Sequence, residues 1–170
     1  MENFSAETPV YCTADPGGPP AAAIHSAAQR ARHLIAYSNF SAGSKFFADT
    51  LARDNNPVFM YNFNFLIPDD PLAALLGVYH TAELPYVFNS VGINGKENKK
   101  LVQEMHSRWI NFIKTGDPNL GIALPSAAPW PRYYPAQPEA LCFDHAVSPS
   151  PLPDKKNLNF MIELLYGINN

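Results

Sequence analysis

An α/β fold is predicted by three features of this sequence. The run from Val58 to Phe65, VFMYNFNF, is dense in aromatic and β-branched residues and apolar on both alternating faces, as in a strand enclosed within a sheet. The segment from Glu97 to Lys114 repeats apolar residues at helical spacing. A further helix-forming segment, SAGSKFFADTLARD, precedes the strand.

Taken in order, residues 1–20 contain Pro9, Pro16, Gly17, Gly18, Pro19 and Pro20, which predicts an irregular arm. From Ala21 to about Tyr37, alanine and arginine with Ile24, Ala28, Leu34 and Ile35 predict a helix. In the next helix Phe46, Phe47, Thr50 and Leu51 share one side, and Asp54-Asn55-Asn56-Pro57 stops it. The strand ends at Pro68-Asp69-Asp70-Pro71. Its Asn62 and Asn64 share a face with Val58 and Met60, so that face turns polar toward the strand end, where open α/β sheets carry their chemistry.

Between Glu97 and Lys114 an apolar stripe of Leu101, Val102, Met105, Trp109, Phe112 and Ile113 faces away from Lys99, Lys100, Gln103, Glu104 and Ser107. Thr115-Gly116-Asp117-Pro118 is a favoured helix ending. A proline-rich stretch runs to Pro138, a short strand is expected over Leu141–Asp144, and Leu158, Met161, Ile162 and Leu165 predict a last helix from Asn157 to Tyr166. There is no internal repeat.

Composition narrows the function classes. A chain of 170 residues suits one core, and a charged fraction of 16% against a usual value of about 25% suggests a piece that is largely covered. Seventeen prolines require frequent turns. A net charge of -3 without blocks of like charge argues against nucleic acid and anionic membranes as partners. No apolar run approaches the roughly 18 residues of a membrane span, and the first residues carry no export signal. Cys12 and Cys142 read as buried thiols rather than a mutual bridge, and His25, His33, His106 and His145 lack metal-ligand spacing. Asn3 and Asn39 head glycosylation triplets, although Asn39 also suits a helix cap, as do Ser38, Ser41 and Ser44. Tyr133-Tyr134 reads as packing under the proline-rich loop.

The stretch Gly77-Val78-Tyr79-His80-Thr81-Ala82-Glu83-Leu84-Pro85-Tyr86-Val87-Phe88 sets a histidine in a loop after a strand. A neutral imidazole there can accept a nucleophile's proton, and a carboxylate on its other nitrogen can hold the tautomer. By itself a lone histidine is more often a hydrogen-bonded loop residue, and Glu83 reads as support for the loop.

Four ordered blocks resemble the C-terminal part of the type-B carboxylesterase and cholinesterase family. They are Pro57–Phe63, Gly77–Phe88, the helix end Trp109–Asn119, and Pro129-Trp130-Pro131-Arg132-Tyr133 with the strand near Leu141. The resemblance runs from roughly Arg32 to Phe143, and most members have glycine where Thr81 stands. It implies the last portion of an α/β-hydrolase fold over residues 21–170: a few strands of an incomplete sheet, with covering helices. It also implies that His80 is the catalytic triad base and that no metal or organic cofactor is used.

Neither the Gly-x-Ser-x-Gly nucleophile turn nor the family's acid in an Asn-x-x-Glu-Gly-like turn occurs in the sequence. The expected role is therefore to supply the histidine of an ester hydrolase that needs an N-terminal portion carrying serine and acid. The ester is a partner only in that completed form, and self-association is an expected property of the incomplete sheet. The alternatives are a non-catalytic interaction module of the same fold and a degenerate remnant. Family members are often secreted, so this chain's own location stays open.

Overall fold

A computed structural model describes residues 34–90, 96–126, 128–152 and 155–167. The irregular arm and most of the helix expected over 21–37 lie outside them. The chain divides into two compact units, one comprising Met1–Val58, Tyr134–Ala136 and Leu152–Asn170, the other Phe59–Tyr133 and Gln137–Pro151.

Within the first unit, residues 34–36 are already helical, a π-helical turn covers Tyr37–Ser41, and helix α1 continues over Ala42–Arg53. A helix already in progress leaves no orphan amide for a cap to satisfy. Ser41 accordingly has helical dihedrals and makes no side-chain cap bond, and Ser38 Oγ donates to the Ile35 carbonyl at 3.2 Å. The cap readings for Ser38, Asn39, Ser41 and Ser44 are overturned.

The buried side of α1 is also not the expected one. Ala42, Lys45, Ala48 and Asp49 are buried, while Phe47 is 64% exposed. Lys45 donates to Asp49 Oδ2 at 2.6 Å, and this pairing one turn apart lets two charged side chains lie inside. The C-terminal helix, the last α-helix of the chain, spans Lys155–Tyr166. It buries Leu158, Met161 and Ile162 with Ala42, and Phe46 stacks on Tyr166 at 4.6 Å.

The second unit contains a three-stranded sheet. Strand β1, Tyr61–Phe63, runs parallel to a strand over Glu139–Phe143 (β2), with Tyr61 opposite Leu141 and Phe63 opposite Phe143. Strand β3, Ser148–Pro151, is antiparallel to β2. Its alternating serine and proline give no hydrophobic signal, which is why the sequence does not announce it. Regular pairing of β1 covers three residues rather than the eight-residue run, and β1 stands at one end of the described sheet rather than in its interior.

Helices α2 (Pro71–Leu76), α3 (Leu84–Val87) and α4 (Lys96–Thr115) lie between β1 and β2 in sequence. The core gathers Phe65, Tyr86, Leu101, Val102, Met105, Trp130, Leu141 and Phe143. Asn64, on the other face of the chain from Phe65, donates to the buried thiol of Cys142 at 3.6 Å.

Helix α4 departs from its expected polar face. Leu101, Val102 and Met105 are buried as the stripe requires, but Ile113 is 77% exposed while Glu104, Ser107, Arg108 and Asn111 are buried. The Glu104 carboxylate accepts from Arg108 Nε at 2.7 Å and from the Ser126 amide and hydroxyl at 2.9 and 2.7 Å. Arg108 also donates to Asn119 Oδ1 at 3.1 Å and to the Ala128 carbonyl at 2.6 Å. A charged pair can lie inside when its hydrogen bonds are met in this way.

The chain then turns at Gly116, φ +78°, and Asp117 Oδ1 accepts the Asn119 amide at 2.8 Å. Asn111 binds the Ile122 backbone through both ends of its amide, at 2.6 and 3.1 Å. A Cβ on Gly121 would come within 2.6 Å of Asn111 Oδ1, so this approach requires glycine. Asn119 also accepts the Trp130 amide at 2.7 Å, and the Trp130 indole donates to the Met60 carbonyl at 2.7 Å, beside the first residue of β1.

Removing one member of the buried pair strands the other without charge compensation. Arg108→Ala is expected to lower unfolding free energy by about 3–5 kcal/mol, read as a lower urea midpoint. Arg108→Lys is expected to recover little, because an ammonium lacks the planar donor fork.

Candidate active-site loop

The loop carrying His80 is built between two short helices. Asp70 caps the first: its Oδ1 accepts the Leu72 amide at 2.8 Å, and Pro71 supplies the preset first helical residue. Gly77 closes that helix at φ 74°, ψ -146°, a backbone region open essentially to glycine alone. His80 begins the turn leading into α3, in which the Ala82 amide donates to the Tyr79 carbonyl and the Leu84 amide to the Thr81 carbonyl, both at 3.1 Å. The loop comes after β1, as expected, with the short helix α2 between them.

His80 and Thr81 are exposed and Ala82 is 1% exposed. Thr81 has φ +76°, the left-handed region that a β-branched residue rarely enters. Glycine, which most members of the resembled family carry here, adopts it without cost.

Two phenols meet carboxylates beside the turn. Tyr79 Oη donates to Asp70 Oδ2 at 2.8 Å, and Tyr61 Oη donates to Glu83 Oε1 at 3.4 Å. The bond from Tyr79 holds the Asp70 carboxyl below its ordinary range, and the same bond raises the Tyr79 phenol. Tyr61 is raised mainly by burial and further by the Glu83 charge. Tyr86, on α3, is pushed up to about 12, first by burial and then by the charges of Asp70 and Tyr79. Its ring lies 5.1 Å from that of Phe63, and its hydroxyl donates to Asn98 Oδ1 at 3.1 Å.

Glu83 therefore supports the loop, as the sequence suggested. Asp70, Tyr79 and Tyr61 were not singled out. Only the Asp-Pro pair at 70–71, a helix-start signature, could have drawn attention to the first of them.

The remaining sequence candidates resolve as structural groups where they are described. The His106 ring nitrogen Nδ1 lies 2.8 Å from the Val87 carbonyl, which can only accept, so that nitrogen carries a proton. The His145 ring packs edge-on to Phe65 at 5.0 Å. Among the described residues no three His, Cys, Asp or Glu side chains converge as metal ligands, and no helix is long and apolar enough to cross a membrane. Tyr133 is fully buried and Tyr134 is 55% exposed. Asn3, Cys12, His25 and His33 lie outside the described residues.

Comparison with known proteins places this loop in a lineage. The model of the carboxylesterase family matches residues 19–160, a span that contains the whole loop. This chain belongs to the carboxylesterase family. It is similar to the para-nitrobenzyl esterase of Bacillus subtilis, with 30% identity over 102 residues, which is 54% of this chain and 19% of that protein. Bovine carboxylesterase 4A is 35% identical over 81 residues, 45% of this chain and 14% of that protein.

A crystal structure of a Geobacillus stearothermophilus carboxylesterase matches 84% of this carboxylesterase-family chain and 28% of its own length, with 30% identity and a TM-score of 0.58. A para-nitrobenzyl esterase structure matches 75% of the chain and 26% of its own, with 28% identity and a TM-score of 0.57. The chain therefore spans between a seventh and about three tenths of these relatives. Its fold is that part of an α/β hydrolase, with a small, incomplete sheet and covering helices, in the type-B carboxylesterase lineage.

Two outcomes follow from the loop geometry. Thr81→Gly is expected to raise stability by about 1 kcal/mol by removing left-handed strain, seen as a higher urea midpoint. Because burial disfavours the ionised phenols, the unfolded chain loses its tyrosine protons first, near pH 10. Stability carried by Tyr61 and Tyr86 is whole below pH 10 and for Tyr86 is lost up to about 12. Urea midpoints measured from pH 9 to 12 should fall, and less steeply in Tyr86→Phe.

Proposed function

We propose that this chain supplies the general base of a carboxylic-ester hydrolase, with His80 in that role. The observation carrying the reading is the coincidence at Thr81. The residue after His80 adopts a left-handed backbone where most family members have glycine, inside the span matched by the family model. In this chain the backbone after His80 takes that shape although the side chain of Thr81 opposes it.

In the completed enzyme a serine attacks the ester carbonyl as His80 takes its proton, and the imidazolium then protonates the departing alcohol. Water repeats the sequence on the acyl-enzyme, again losing its proton to His80. The serine, the acid that orients the imidazole, and the oxyanion donors come from outside these 170 residues, which contain neither motif. His80 is exposed at the loop surface, as a group that must meet a nucleophile on another segment has to be.

The chain alone is expected to leave para-nitrophenyl acetate at its buffer rate. Joined to an N-terminal portion carrying serine and acid, it is expected to hydrolyse that ester, and His80→Ala should lower kcat/KM by about 10³-fold or more. Unchanged turnover in that variant removes His80 from the mechanism, and hydrolysis by the chain alone removes the need for a completing portion.

A further inference from the structure

Resting on the reading of His80 as the base, we propose that two tyrosine–carboxylate clasps, Tyr79 with Asp70 and Tyr61 with Glu83, orient the His80 turn. All four are thereby positioning residues. The clasps stand on either side of the histidine in sequence. The first joins Tyr79, immediately before His80, to the carboxylate that also caps α2, so one aspartate fixes both the helix start and the residue leading into the turn. The second joins Glu83 to the sheet. Glu83 occupies the cap position of α3 but makes no side-chain cap bond there, and its carboxylate instead receives the Tyr61 hydroxyl. The Tyr61 ring is itself fixed by Trp109 at 5.0 Å and Trp130 at 6.1 Å.

Between the two clasps only His80 and Thr81 are exposed, and Gly77 and Thr81 both have positive φ. A surface turn with a β-branched residue in that region relaxes unless its surroundings over-determine it. The bond from Tyr79 to Asp70, at 2.8 Å, is of the stronger kind because its acceptor is a carboxylate, and the 3.4 Å bond from Tyr61 to Glu83 is backed by the ring packing that holds Tyr61 in place. A base whose backbone is fixed on both sides enters proton transfer without an ordering cost.

The test uses the full chain and the variants Tyr61→Phe and Tyr79→Phe, which keep the rings and remove one clasp each. Amide exchange at Ala82 and Leu84 should accelerate about tenfold while Met105 in α4 is unchanged. In the enzyme completed with the N-terminal portion, Tyr61→Phe and Tyr79→Phe should each lower kcat several-fold while leaving KM unchanged, because a loosened turn misplaces the base without touching the ester. Glu83→Gln, which keeps an acceptor for Tyr61, should preserve slow exchange. Equal acceleration in α4, an unchanged kcat in both variants, or fast exchange in Glu83→Gln overturns the proposal. A clasped turn in a completed enzyme that tolerates His80→Ala would instead overturn the base assignment and leave the clasps standing.

Discussion

The buried ion pair between Glu104 and Arg108 sets the course of much of the second unit. Two charges out of water are tolerable only when their hydrogen-bonding capacity is met. Meeting it here draws in Ser126, Asn119 and the Ala128 carbonyl from a segment with little regular structure of its own. That segment then delivers Trp130 between Asn119 and Met60, and the strand beginning beside Met60 carries Tyr61 toward Glu83. A continuous path of hydrogen bonds and ring contacts therefore leads from the middle of α4 to the turn bearing His80. The helix end Trp109–Asn119 and the Pro-Trp-Pro segment, distant from any reacting atom in sequence, earn their place in the pattern as parts of this frame.

The structure divides sharply between what sequence could and could not reveal. Helix α4 and the last helix were legible because Leu101, Val102, Met105, Leu158, Met161 and Ile162 recur at a regular period and are buried. The His80 loop was legible through the company it keeps, since the residues of Gly77–Phe88 form a recognisable string. What periodicity misread were buried charges. Glu104 was placed on a polar face and lies inside with Arg108, and Lys45 lies inside with Asp49, because each has a partner one turn away. Period arguments assign polarity to a face one residue at a time, and a pair has no representation in them. The Ser38–Ser44 stretch was misread for a related reason, since a serine resembles a cap only if the helix begins beside it.

The candidate site was legible as a residue but not as an arrangement. His80 could be singled out, yet Tyr61 lies 22 positions before Glu83, and Asp70 lies nine before Tyr79. No spacing rule connects such pairs, because α2 and the turn that follows it set their distance. The strained backbone at Thr81 was visible only as a departure from a family preference until the dihedral gave it physical meaning.

Strand β3 has a consequence for solubility. In an antiparallel pair, successive residues alternate between turning their amides inward and outward. Pro149 and Pro151 lack that hydrogen, so the ladder to β2 falls to Ser148 and Ser150, which stand opposite Cys142 and Ala140. The outward border of β3 is left without donors, and a stray extended polypeptide cannot stitch itself on there. The serine–proline repeat thus works as a selvedge, finishing one margin of the sheet against fraying into aggregates.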